Sequence, residues 1–182
     1  DKPFMLYLAH TMAHVVIGAT DSFRGRSGGG LYGDVIEELD WSMGEVIQAL
    51  KKAKVDDNTL VVFTSDNGPW IEKQLKGKGG NDAHYGTSGP LRGAKMMTWE
   101  GGVRVPTIVR WPGVVPAGKD CSEPATIMDL LPTFAKLGGG KVPNDRRIDG
   151  RDIMPLFRGD AEAKSPHEAI YHYSYVHLQA VR

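Results

Sequence analysis

Leu60-Val61-Val62-Phe63-Thr64-Ser65-Asp66-Asn67-Gly68-Pro69 joins an apolar run to a polar pair and a chain break. Val, Phe and Thr favour a buried strand, and Gly-Pro directly behind Asp66-Asn67 forces a turn. A carboxylate and a side-chain amide are thereby set at the C-terminal end of a strand, the edge where open α/β sheets bind ligands. Both side chains offer oxygen, the donor preferred by hard cations such as Ca2+ and Mg2+. An Asx turn without any ligand would use the same two residues. The local sequence leaves both readings open.

Upstream of this stretch, residues 4–9 (Phe-Met-Leu-Tyr-Leu-Ala) read as a buried strand that delivers His10 and His14 into the following loop. Asp34 is placed to cap a long helix in which Val35, Leu39, Met43, Val46, Ile47 and Leu50 recur at helical spacing. Glu37, Glu38, Glu45, Lys51 and Lys52 take its other face, acidic early and basic late, as the helix dipole favours. Strand, helix and strand in this order predict a right-handed βαβ unit with parallel strands. Downstream, strands are expected over 105–111 and 169–175, with another at the C-terminal end of the chain. A helix capped by Asp129 should run to Gly138-Gly139-Gly140, with Pro132 tolerated in its first turn, and a short helix should cover 152–157. The class is α/β.

With 182 residues the chain is one domain, or a large piece of one, able to bury roughly 70% of its unfolded surface. Lys plus Arg equals Asp plus Glu at 22 each, so no net field recruits nucleic acid or an anionic membrane. Apolar runs fall well short of the roughly 18 residues a membrane span needs. Cys121 is the single cysteine, which excludes an internal disulfide and a thiolate metal cluster and does not decide the compartment. Glycine concentrates in two long loops, 25–33 and 77–102, and loops of that length inside a domain are usually functional. The chain enters a strand within a few residues of its first position, so we read it as part of a longer domain.

Six stretches then converge on one family. They are residues 6–14 (LYLAHTMAH), Tyr32-Gly33-Asp34 with Glu38-Leu39-Asp40, and Thr64-Ser65-Asp66-Asn67-Gly68-Pro69, followed by Gly89-Pro90-Leu91-Arg92-Gly93-Ala94-Lys95, residues 99–106 (WEGGVRVP) and Met128-Asp129-Leu130-Leu131-Pro132-Thr133. In this order and at this spacing they resemble the arylsulfatases, over nearly the whole chain. The resemblance implies an alkaline-phosphatase-like three-layer α/β sandwich with a mostly parallel sheet, of which this chain carries a partial catalytic domain without its N-terminal part. It implies hydrolysis of a sulfate ester at a Ca2+ site by a formylglycine made from Cys or Ser. By the same resemblance Asp66 and Asn67 are metal ligands, Lys95 touches the sulfate, and His14 contacts the sulfate or the leaving-group oxygen. The register favours His14 over His10. His84, in the loop 71–85 expected to set specificity, is a minor candidate for the substrate pocket.

The match departs from the family at Ala13 and Val16, where proline is common around the second histidine, and at Met96, where glycine usually follows the lysine. The nucleophile motif, Cys or Ser followed by x-Pro-x-Arg, belongs upstream of the opening strand. Cys121-Ser122-Glu123-Pro124 has its proline one place late, and Ser88-Gly89-Pro90-Leu91-Arg92 fits the loose pattern but falls in the segment leading to Lys95, so the fit is read as a coincidence. The chain is therefore expected to carry half an active site and to be inactive alone. Self-association through the edge that the absent strands would cover is possible. A phosphatase or phosphodiesterase of the same superfamily is the rival chemistry, although Asn67 favours calcium over zinc or manganese. A non-catalytic binding protein derived from a sulfatase is the rival of another class. The expected partner is a sulfated small molecule or glycan, with neither nucleic acid nor a membrane span.

Overall fold

The computed structural model describes residues 2–71 and 86–182; His84 and all of the expected specificity loop but Ile71 lie outside them. Helix α1 (Gly30–Lys52) is the longest element. Its apolar positions behave as the spacing requires: Val35 is buried, and Leu39, Met43, Val46, Ile47 and Leu50 are half-buried, while Glu37, Glu45, Lys51 and Lys52 face solvent. Val35 packs with Ile17, Ala19 and Phe23, and Leu31, Tyr32 and Leu39 close around that core. Burying a side chain of this kind contributes about 1.5–3 kcal/mol. Apolar contact thus joins the loop 12–29 to the helix.

Asp34 does not cap α1. The helix begins four residues earlier at Gly30, whose φ of 66° only glycine adopts at little cost. Asp34 is instead buried one turn inside, and its carboxylate reaches back to the glycine-rich loop. It accepts hydrogen bonds from the Gly25 amide (2.7 Å), the Ser27 amide (3.0 Å) and the Ser27 hydroxyl (2.8 Å). The Ser27 amide and then the Gly25 amide hold its pKa below the ordinary carboxylate value, against the opposing effect of burial. A donor-rich loop has thus found its acceptor inside the helix rather than ahead of it.

The chain divides into two units. One comprises Asp1–Phe4, Asp57–Asp66 and Thr107–Arg182; the other comprises Met5–Asp56 and Asn67–Pro106. In the first unit β1 (Val61–Thr64) pairs antiparallel with β2 (Thr107–Arg110), Val61 opposite Arg110 and Thr64 opposite Thr107. The hydroxyls of that last pair lie 2.8 Å apart. Beyond β2, the Trp111 indole N–H donates to the Asp57 carbonyl at 3.1 Å.

Helix α3 (Leu130–Leu137) follows a 3₁₀ turn, Ile127–Asp129, and ends at Gly138 as expected. Asp129 marks its start, but its carboxylate works over a longer range. One oxygen accepts from the Thr126 amide (2.7 Å) and hydroxyl (3.2 Å), the other from the Arg151 amide (2.7 Å) and His167 Nε2 (2.8 Å). Asp129 is 0% exposed, so these bonds replace water in full. Thr133 extends the cluster, donating to the Asp129 carbonyl and accepting from the Ile153 amide. That fixes the entry to α4 (Met154–Arg158), which Gly159 ends with a φ of 66°. A β3 (Tyr171–Ser174) and β4 (His177–Val181) hairpin completes the unit.

Residues 4–9 differ from expectation. They join no strand among the described residues, and Phe4 to Leu8 are each between 47% and 81% exposed. A strand exists only where backbone partners complete its ladder, and among the described residues none flanks this segment. The parallel βαβ unit is accordingly not closed by the described residues, and both of the sheets they form are two-stranded and antiparallel.

Candidate functional site

Asp66 follows β1 by two residues, at the end of the Asp57–Asp66 segment of the first unit, and is exposed. Asn67, half-buried, opens the turn Asn67-Gly68-Pro69 of the second unit. Backbone hydrogen bonds dock that turn. The Gly68 amide donates to the Gly102 carbonyl at 2.9 Å, and the Lys95 amide donates to the Pro69 carbonyl at 2.9 Å. A Cβ on Gly68 would collide with the Gly101 carbonyl.

The segment carrying Lys95 is built in the same way. The Met97 amide closes on the Ala94 carbonyl at 3.0 Å, forming a turn with Lys95 and Met96 at its tip. Beneath it runs a short helix α2 (Glu100–Val103), whose Gly101 amide donates to the Arg92 carbonyl at 2.7 Å. Gly102 leaves no room for a side chain against the carbonyls of Met97 and Ala94, and a Cβ on Gly93 would lie 2.6 Å from that of Trp99. The Arg92 guanidinium stacks over the Trp99 ring at 3.7 Å, an arrangement that braces the loop. The glycines that looked like loop punctuation are sites of backbone-to-backbone contact. The structure thus brings the Asn67 turn, the Lys95 turn and the Trp99-Glu100-Gly101-Gly102 motif together. The Lys95 side chain is half-buried and has no ion pair among the described residues.

His14 is exposed in the loop before the Ile17–Phe23 core, and its Nδ1 donates to the Val15 carbonyl at 2.7 Å. That bond leaves Nε2 as the nitrogen available for proton exchange. His10 faces α1 instead, with Nε2 at 3.5 Å from the Ser42 hydroxyl. No hydrogen bond among the described residues joins His14 to Lys95. A concavity of about 1150 Å3 lined by Thr20, Phe23, Arg26, Glu37 and Trp41 includes neither.

Ser88 donates its hydroxyl to the Leu91 carbonyl at 2.9 Å, which commits it to the loop, and Cys121 is a free, exposed thiol. Among the described residues no three His, Cys, Asp or Glu side chains lie close enough to share a metal ion. Asp66 and Asn67 nonetheless suit a hard cation as two oxygen donors of a larger set, since Ca2+ takes about 6–8 oxygens. The sequence reading missed His167. Its partner Asp129 lies in the motif at 128–133, but nothing local links residues so far apart.

The Sulfatase family model matches residues 1–140. Human steryl-sulfatase is 43% identical over the whole chain, and dog N-acetylgalactosamine-6-sulfatase is 38% identical over all of it. These matches cover 30% and 33% of the two relatives, so the chain spans about a third of the length of the curated proteins it resembles. Among solved structures, a sulfatase from Pseudoalteromonas sp. superposes with a TM-score of 0.82 at 32% identity, over 94% of this chain and 33% of the other. The α/β architecture described above is accordingly part of the alkaline-phosphatase-like fold of such enzymes. The chain belongs to the sulfatase family.

Proposed function

We propose that these residues form part of the active site of a sulfuric ester hydrolase, in which Asp66 and Asn67 hold Ca2+ and Lys95 and His14 engage the sulfate ester. The observation that carries the reading is the docking of the Asn67 turn on the Lys95 turn through the Pro69 and Gly102 carbonyls. Two motifs separated by nearly thirty residues are packed together by backbone contacts, one of which tolerates only glycine at Gly68 and Gly102, and each presents a group suited to one anionic substrate.

A sulfate ester is negatively charged, and its bridging oxygen gains charge as the S–O bond breaks. The Lys95 ammonium, carried on a turn whose base is fixed by Gly102, binds the anion and stabilises that charge. His14, with Nδ1–H held by the Val15 carbonyl, turns Nε2 to the departing oxygen and, as the doubly protonated imidazolium, donates the Nε2 proton to it. Bound Ca2+ would add positive charge at the sulfate oxygens, and a formylglycine would supply the attacking oxygen; Cys121 does not fit its motif, and Ser88, which does, lies in the segment leading to Lys95. The substrate is a sulfated small molecule or glycan. No helix among the described residues is long and apolar enough to cross a membrane.

Turnover of phenyl sulfate and phenyl phosphate by the natural full-length polypeptide tests this reading. Calcium-dependent hydrolysis of the sulfate, lost in Lys95→Ala, is the expected result. Preference for the phosphate would place the protein with the phosphatases and phosphodiesterases of the superfamily. Absence of both activities would make it a non-catalytic relative.

A further inference from the structure

We propose that Met96 favours sulfate esters whose skeleton extends into a large apolar group beyond the ester-linked carbons, a role that rests on the sulfatase reading above. The turn Ala94-Lys95-Met96-Met97 is closed by the Met97 amide on the Ala94 carbonyl, and Met96 has a φ of +74° at its third position. A turn with positive φ at that position is the type that calls for glycine or asparagine, because a Cβ there crowds the backbone. Met96 is nevertheless a long side chain, and it is 77% exposed, so packing among the described residues does not offset the strain. Fold stability alone favours glycine here. Strain maintained without internal compensation marks a position whose side chain acts on something outside the chain.

Its neighbour indicates what that is. Lys95 is the adjacent residue, one Cα spacing of about 3.8 Å away, so a sulfate held at Lys95 brings the skeleton beyond its ester-linked carbons within reach of the methionine. The turn is rigid at its base, where Gly102 abuts the Ala94 and Met97 carbonyls, so the two tip residues keep a fixed relation. Trp99, another large exposed apolar side chain, already has one face covered by Arg92. An unbranched, polarisable thioether adapts to apolar surfaces of varied outline, such as an alkyl or fused-ring skeleton, and gains nothing from a heavily hydroxylated one.

The test uses the natural full-length polypeptide and two probes with the same leaving group, phenyl sulfate and 4-octylphenyl sulfate. Met96→Gln keeps the length and the backbone strain and removes the apolar character. It should lower kcat/KM for the octylphenyl ester about tenfold, through KM, and change phenyl sulfate less than about twofold. Met96→Leu should retain the wild-type preference, and Met96→Gly should lose it while raising the thermal midpoint. Equal losses on both probes, no loss on either, or a lowered midpoint in Met96→Gly would overturn the proposal. Wild-type protein that hydrolyses neither probe would overturn the sulfatase reading and this inference with it. Turnover of both probes with an unchanged ratio in Met96→Gln would overturn the inference alone.

Discussion

Replacing Gly102 by alanine adds one methyl group at the junction of the two docked turns. Built on this backbone, that Cβ meets the Met97 and Ala94 carbonyl oxygens well inside 3.0 Å, a spacing real Cβ atoms essentially never show. Both obstacles are backbone, so no side-chain rotation relieves the clash. The strain of overpacking a fixed site costs about 1–3 kcal/mol, and two rigid carbonyls put this case near the upper end. For a chain of this size that lowers the thermal midpoint by about 5–10 °C. The Ala94–Met97 turn must also shift, and it carries Lys95. A displacement of about 1 Å at a catalytic group costs on the order of a hundredfold in rate. Denaturation followed by circular dichroism measures the first effect, and kcat/KM on phenyl sulfate in the natural polypeptide measures the second. Gly44→Ala is the control, because that glycine lies inside α1 with nothing within 4 Å of its added Cβ. It should stabilise by about 0.5–1 kcal/mol through helix propensity alone. A Gly102→Ala protein with the wild-type midpoint and rate would refute the claim that these glycines position Lys95.

Asp129→Ala would leave the amides of Thr126 and Arg151 and the His167 ring without their buried acceptor, a loss of about 3 kcal/mol or more by urea denaturation. A loss under about 1 kcal/mol would show that the cluster is relaxed by water. Asp34 predicts an acid dependence. Its folded pKa is lowered, chiefly by the Ser27 amide and then by that of Gly25, so its stabilisation is present above the ordinary carboxylate range. That contribution is lost as pH falls through the folded value, from about pH 4 downward. Stability measured across this range should flatten in Asp34→Asn, and an unchanged slope would contradict the assignment. The 182-residue chain alone should show no hydrolysis of phenyl sulfate above background, and turnover abolished by Ser88→Ala would reverse the dismissal of that serine.

Much of this was legible because it is local. The periodicity of Val35, Leu39, Met43, Val46, Ile47 and Leu50 identifies the covered face of α1, and Gly138 and Gly159 end helices where glycine should. The start of α1 was misjudged because Asp34 satisfies the rule for a helix cap while its carboxylate finds three donors behind it. Residues 4–9 carry a strand's composition, but composition supplies no partner, and the described residues leave them unpaired. At the candidate site the residue types of Asp66, Asn67 and Lys95 were readable from their motifs. Their scaffold was not, since close approach of Gly68 to Gly101, and of Gly102 to Met97, depends on contacts between backbones that no side-chain pattern encodes. The Asp129–His167 pair escaped for the same reason, as it joins segments 38 residues apart.

The most direct measurement is a crystal structure of the natural full-length polypeptide soaked with calcium and inorganic sulfate. The account predicts one sulfate whose oxygens lie within about 3.2 Å of both Lys95 Nζ and His14 Nε2. It also predicts a calcium ion on the side-chain oxygens of Asp66 and Asn67. Finding His10 in place of His14 would correct only the register. Lys95 directed to open solvent on another face, with sulfate and calcium bound elsewhere, would contradict the central claim.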